Sequence, residues 1–351
     1  MTKTSASLLV ILLLTSVGCG NRTGPSGGGD RRPDATAQDQ GQPRPLTAEQ
    51  EAAIEHLKKA GAVFVEENEV DVISFGKELR PSRIELHGAK VTNDDLEYVS
   101  RLDYLNGLSL VGSRITDDGL EHLSNLGHLK YLSLSKTKIT GTGLVHLAKL
   151  NELAQLYLMD TAIDDRGLAS LPPLEQLDTV AICGTKVTDD GLKSFGRLPN
   201  LRRLYLRRMK ITGKGLAQLK NRRIISVLYL SESPVDDAGL ASLDSMPAIR
   251  ELSLTGTEIT DDGLVHIERL SKLESIYLSD TVITDAGLVH LLPLPMIDWI
   301  SLDNTSVTVA GVLQLTKVAS IRSLSLRDTA MDADEFRRVA EAFPQAFVHN
   351  D

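Results

Sequence analysis

The chain has 351 residues, 42% hydrophobic and 24% charged, the balance of a soluble globular protein. A net charge of −9 argues against nucleic-acid binding by the whole body, because a phosphate backbone needs a basic footprint. Aromatic residues make up 4%, so the core must be aliphatic, and Cys19 and Cys183 allow one disulfide at most.

Lys3 is the only charged side chain before Arg22, and Ala6–Leu14 is an apolar run broken only by Ser7. The run is too short to span a bilayer, which takes about 20 apolar residues. A basic start, a short apolar core and a small-residue break predict a secretory signal over 1–18. The break, Thr15-Ser-Val-Gly18-Cys19, resembles the bacterial lipoprotein signal, with Ser16 where that motif usually carries leucine. The resemblance implies lipid on Cys19 and leaves Cys183 a lone thiol. A plain secretory signal cut nearby and an uncleaved anchor are the alternatives. Residues 19–46 carry Gly27-Gly28-Gly29 and four prolines, the composition of a disordered tether. Its 26 residues from Asn21 to Leu46 span roughly 25–30 Å as a flexible chain.

An N-terminal cap is expected over 47–80. Thr47-Ala-Glu-Gln50 fits a capping box. Ala53, Ile54, Leu57 and Ala60 share a helical face, and Gly61 ends the helix. Val63–Val65 and Val70–Phe75 read as strands around a turn.

From 81 to 343 one unit repeats, clearest in Leu252-Ser-Leu254-Thr-Gly-Thr257-Glu-Ile259-Thr260-Asp-Asp-Gly263-Leu264. The alternating Leu252 and Leu254 define a strand; Leu264, Ile267 and Leu270, every third residue, define one face of a short helix. Thr260 stands at the helix N-cap, with aspartates in the first turn. The second strand residue, position 0 of the unit, recurs every 24 residues in eleven copies from Leu86 to Leu326, without insertion or deletion. Position 9 is glycine in nine copies, Gly119 through Gly311, which predicts close packing where the helix begins. Position 3 is a serine or threonine column, expected to hydrogen-bond backbone groups of the tight loop. In the last copy Asp332–Glu341 reads as a longer helix stopped by Pro344. Residues 344–351 close the chain, with Phe347 and Val348 as a last strand.

Leu129-x-x-Leu132-x-Leu134-x-x-Thr137-x-Ile139-Thr140 resembles the leucine-rich repeat, over about 84–343. The closest variant is the cysteine-containing subclass, with threonine or serine standing here for its cysteine or asparagine. The resemblance implies an α/β fold: a right-handed, ribonuclease-inhibitor-like horseshoe with a concave parallel sheet and short convex helices. It also implies a binding protein rather than an enzyme. Nothing like an F-box precedes the array, which removes a ubiquitin-ligase role.

In such a fold positions 1, 21 and 23 face the concavity. Tyr131, Tyr157, Tyr205, Tyr229, Tyr277 and Trp299 all fall there, six of the eight Tyr and Trp residues. Such residues supply large contact area at low entropic cost, although tyrosine is also simply a good strand residue. Between Gly191 and Ser231 there are eleven basic residues and no acid, and Arg203, Tyr205 and Arg207 would point into the concavity together. That cluster suits an acidic protein surface or an anionic polymer, or else balances neighbouring aspartates. His122, His146, His266 and His290 share position 12, and Asp-Asp pairs mark the helix starts. Repeat duplication and helix electrostatics account for both without a metal. Cys183 sits at position 1, where exposure is expected, but no histidine stands beside it as a base. No cofactor motif or catalytic constellation appears. The expectation is a monomeric, lipid-anchored protein of the bacterial envelope, periplasmic or at the surface, that binds a protein or peptide through Tyr131, Tyr157, Arg203, Tyr205, Arg207, Tyr229, Tyr277 and Trp299. Carbohydrate or anionic-polymer binding, or a structural spacer, are the alternatives.

Overall fold

A computed structural model of the chain describes residues 45–65, 82–88, 90–220 and 222–350. The signal, Cys19, most of the tether and the expected strand Val70–Phe75 lie outside the described residues. Among the described residues no helix is long and apolar enough to cross a membrane.

Among the described residues, thirteen strands of three residues form one sheet in sequence order. They are β1 (Val63–Val65), β2 (Arg83–Glu85), β3 (Gly107–Ser109), β4 (Tyr131–Ser133), β5 (Gln155–Tyr157), β6 (Thr179–Ala181), β7 (Arg203–Tyr205), β8 (Val227–Tyr229), β9 (Glu251–Ser253), β10 (Ser275–Tyr277), β11 (Trp299–Ser301), β12 (Ser323–Ser325) and β13 (Phe347–His349). β1 pairs antiparallel with β2, so the cap strand's observed partner is the first repeat. From β2 onward all pairs are parallel and each residue faces its equivalent 24 positions on, as Ile276 faces Leu252 and Ile300.

The middle residue of each strand points inward and joins one aliphatic core that runs from Ala53 to Phe343. The opposite side carries short helices, several of them 3-10, such as Asp261–Arg269 and Asp117–Asn125. The every-third-residue spacing of Leu264 and Ile267 fits 3.0 residues per turn. A 3-10 turn also rises about 2.0 Å per residue against 1.5 Å, so it crosses a short repeat with fewer residues. Strands stack about 4.8 Å apart while helical segments need more room, which puts the sheet on the inner side of the curve.

Three columns of polar or small residues hold the loops between these layers. Position 2 is left-handed in every copy, from Gly88 (φ +96°) through Lys136 (+58°) and Arg208 (+55°) to Asp328 (+54°). The position 3 hydroxyls do as expected: Thr137, Thr161, Thr185, Thr257, Thr281, Thr305 and Thr329 each donate to the carbonyl three residues back, at 2.5–2.8 Å. Where Met209 interrupts that column, Ser233 of the next copy donates to the Leu206 carbonyl and accepts from the Met209 N–H. Ser113 departs from the rule; its hydroxyl is buried with no partner among the described residues.

The position 7 aspartates of the helix starts do more than meet a helix end. Asp117, Asp165, Asp189, Asp237, Asp261 and Asp285 each accept from both the N–H and the hydroxyl of the threonine 23 residues on. They thereby join one repeat to the next. Burial pushes the Asp117 carboxyl up, but bonds from Gly143, Thr140 and Gly141 outweigh it and hold the group below the usual carboxylate range. This contact also explains the position 9 glycines. A Cβ on Gly191, Gly263 or Gly287 would lie 2.3–2.4 Å from the preceding copy's carboxylate.

Helix Ala48–Lys59 begins with the Thr47–Gln50 capping box. Its His56 reaches Asp95 at 3.0 Å and stacks on Tyr98, joining the cap to the first repeat. Asp95 occupies position 9 there, where no earlier repeat presses in. Helix Ala333–Ala342 is capped by Asp332 and Glu335, and β13 is the last strand.

Candidate functional site

The first and third residues of each strand leave the core and form the open face of the sheet. All eight residues proposed from sequence stand on this face or on the turn leaving it. Repeats at the 24-residue register bring the aromatic ones together in two groups. Tyr131 and Tyr157 lie 5.3 Å apart by ring centroid. Tyr205, Tyr229, Tyr277 and Trp299 form a chain with centroid separations of 5.1, 6.0 and 6.4 Å, and Trp299 continues to His349 at 6.1 Å. Thr179 and Ala181, too small to continue the row, separate the groups on β6.

Two of these residues are not exposed as expected. Tyr157 and Tyr205 are 7% and 8% accessible. At strand spacing, a ring that lies along the sheet meets the ring of the next repeat and the floor beneath it, so it packs instead of standing free. Tyr131, Tyr229, Tyr277 and Trp299 are half-buried. Burial, reinforced by neighbouring phenols and by Glu251, pushes the Tyr205 and Tyr229 hydroxyls far above their ordinary value. Tyr157 is raised likewise, by burial and by Tyr131. Cys183, expected to be exposed, is 6% accessible, and burial pushes its thiol up, which disfavours the nucleophilic thiolate.

The basic cluster is internally compensated on this face. Arg203 lies 3.7 Å from Asp178, Arg207 3.3 Å from Glu232, and Arg208 3.1 Å from Asp160. Arg222, in a core leucine position, turns its guanidinium onto the carbonyls of Gly196 and Leu198. His266 and His290 face Asp244 and Glu268 of the preceding copy.

The sequence reading missed the floor of the site. Ser109, Ser133, Ser253, Ser301 and Ser325 occupy third strand positions and are buried. Ser231 bonds Ser253 at 2.7 Å and Ser279 bonds Ser301 at 2.6 Å. The signal was present as recurring serine at positions 1 and 23. At the C-terminal end this floor opens into a depression of about 220 Å³ lined by Trp299, Ser301, Asp303, Ser325, Arg327 and His349. Trp299 Nε1 is buried there without a hydrogen-bond partner among the described residues.

No curated protein matches the sequence. Among solved structures, an internalin from Listeria monocytogenes is similar, at 18% identity and TM-score 0.47, covering 69% of this chain and 86% of its own. A family model described as a leucine-rich repeat region matches residues 89–348. This match spans most of the chain and agrees with the 24-residue register and the parallel sheet, so the chain belongs to the leucine-rich repeat family.

Proposed function

We propose that the chain is a non-enzymatic binding protein of the bacterial cell envelope, held to the membrane by lipid on Cys19, that engages a protein or peptide across the open face of its sheet. The leucine-rich repeat fold is a protein-interaction scaffold, which supports the general reading. The observation that carries it is the composition of the open face, tyrosine and tryptophan over a bed of serine. Tyrosine with serine supplies rigid amphipathic contact area and adaptable hydrogen bonding, the chemistry of protein-binding paratopes. The arginines at Arg203 and Arg207 add an attraction for acidic groups of the partner. Because each already has an acid within 4 Å, that attraction is secondary to the aromatic surface. A glycan ligand could stack on the same rings.

A photo-crosslinking residue at position 203 or 277 is expected to trap one polypeptide from envelope extract. The same residue at Val145 or Val265, exposed on the helix side, is expected to trap none. Adducts from both faces, or none from the sheet face, would overturn the reading; a glycan-array hit with no adduct would favour the carbohydrate alternative. Anchoring is tested separately. A palmitate analogue should label the chain and fail to label Cys19→Ala, and equal labelling of the two would remove the anchor.

A further inference from the structure

Carboxylates along the sheet side are mostly paired with arginine. Glu85 pairs with Arg83, Asp178 with Arg203, Glu232 with Arg207 and Glu274 with Arg250. Glu251 at the start of β9 is different. It is half-buried, and no lysine, arginine or histidine nitrogen among the described residues lies within 4.0 Å of it. Its neighbours are phenols. Tyr229 donates its hydroxyl to Glu251 Oε1, and the ring of Tyr277 lies next to that of Tyr229.

The geometry around it is set by side-chain size. Tyr229 on β8 and Tyr277 on β10 are two strands apart, yet their ring centroids are 6.0 Å from each other. Two strand spacings would be about 9.6 Å. The rings therefore lean together across β9, whose third residue is the small Ser253. Tyr205 closes one side edge-on at 5.1 Å and Trp299 continues the wall at 6.4 Å from Tyr277. A half-buried carboxylate without a counter-ion is costly, and ring faces attract cations.

We propose that Glu251, walled by Tyr229 and Tyr277, is the subsite that receives a lysine or arginine side chain of the polypeptide partner. This rests on the reading of the open face as a protein-binding surface and gives that surface a polarity. Arg203 and Arg207, on β7 and the turn leaving it, meet acidic groups, and two strands away Glu251 meets a basic one. The cation forms a charge-assisted bond to the free carboxylate oxygen while its alkyl stem lies against the rings. Arginine is favoured over lysine, because a planar guanidinium both stacks and forks.

Trp299, the one tryptophan in the chain, stands in the same ring chain and reports on it. The test titrates the full chain with acetyl-Gly-Arg-Gly-amide, watching tryptophan emission, with lysine, glutamine and glutamate at the central position as comparisons. The arginine and lysine peptides should give saturable changes at least tenfold tighter than the glutamine and glutamate ones. Glu251→Gln should weaken the arginine peptide at least tenfold with unaltered circular dichroism. Asp303→Asn, in the depression at the end of the face, should bind it as the parent does. Equal binding by Glu251→Gln, equal binding of the glutamine peptide, or no saturable change with any peptide would each overturn the proposal. The titration needs no natural partner. A chain that binds the arginine peptide but yields no crosslinked polypeptide would sink the protein-partner reading alone.

Discussion

A Gly141→Ala chain is expected to lose about 2–5 kcal/mol of stability, from two sources in one methyl group. Gly141 has φ +107°, where an L side chain is strained by about 1–2 kcal/mol. Its added Cβ would also lie 2.6 Å from Gly167 Cα and 2.9 Å from the Gly167 carbonyl oxygen, atoms of the next repeat's backbone that cannot rotate aside. Relief requires two repeats to move apart, and overpacking of that kind costs about 1–3 kcal/mol. In a solenoid each repeat touches only its neighbours, so a weakened joint also divides the folding unit. Denaturant unfolding followed by circular dichroism should therefore broaden or split into two transitions. Gly127→Ala and Gly196→Ala are the controls, because a Cβ there meets nothing within 4 Å. They should unfold within about 0.5 kcal/mol of the parent. A Gly141→Ala curve that overlays the controls would show that the joint is looser than its backbone distances require.

That joint also marks how far the sequence could be read. Strand and helix positions were legible because their periodicities survive eleven copies. The rule joining the copies was legible in principle but depends on residues 23 apart. Where position 7 is Asp or Asn, as in Asn93, Asp117 or Asp261, the next copy's position 6 is threonine, whose N–H donates to it. Where position 7 is Gly141, Gly213 or Val309, the next position 6 is Asp164, Asp236 or Asp332, which caps its own helix instead. One carboxylate or amide per joint satisfies the first helical N–H groups, and either repeat can supply it. Gly141 and Gly213 then allow a close backbone approach, to Gly167 and Gly239.

The candidate site was less legible, because orientation decides it. The sequence places Tyr157 and Tyr205 on the open face, and the strands put them there. Whether a ring stands up or lies down depends on the size of its neighbours one and two repeats away. Small residues at Ala181 and Ser253 let rings fold over, and periodicity alone does not carry that packing. Charge was misleading for the same reason. The basic run of 191–231 is conspicuous along the chain, yet its acids Asp160, Asp178 and Glu232 come from outside it. Glu251 drew no notice in sequence because its distinction is a missing partner.

Alkaline pH should unfold the protein through its sheet face. Burial first, then neighbouring phenols and Glu251, hold Tyr157, Tyr205 and Tyr229 well above the ordinary tyrosine value. In the unfolded chain these phenols ionise near pH 10. The folded state favours the neutral form, so their contribution is complete below pH 10. It is lost progressively as the pH rises from there toward the folded values. Across that window each phenol held neutral costs about 1.4 kcal/mol per pH unit, and three together about 4 kcal/mol. Near-ultraviolet phenolate absorbance should therefore lag behind free tyrosine and then rise together with loss of circular dichroism. Independent titration of all tyrosines near pH 10 with the fold intact would refute this. Glu251→Gln sharpens the test, since it removes a negative charge beside Tyr205 and Tyr229 while Tyr157 is held by Tyr131. The alkaline step should move to higher pH in that chain, because Tyr205 and Tyr229 ionise more readily in place and folding no longer excludes their charge as strongly.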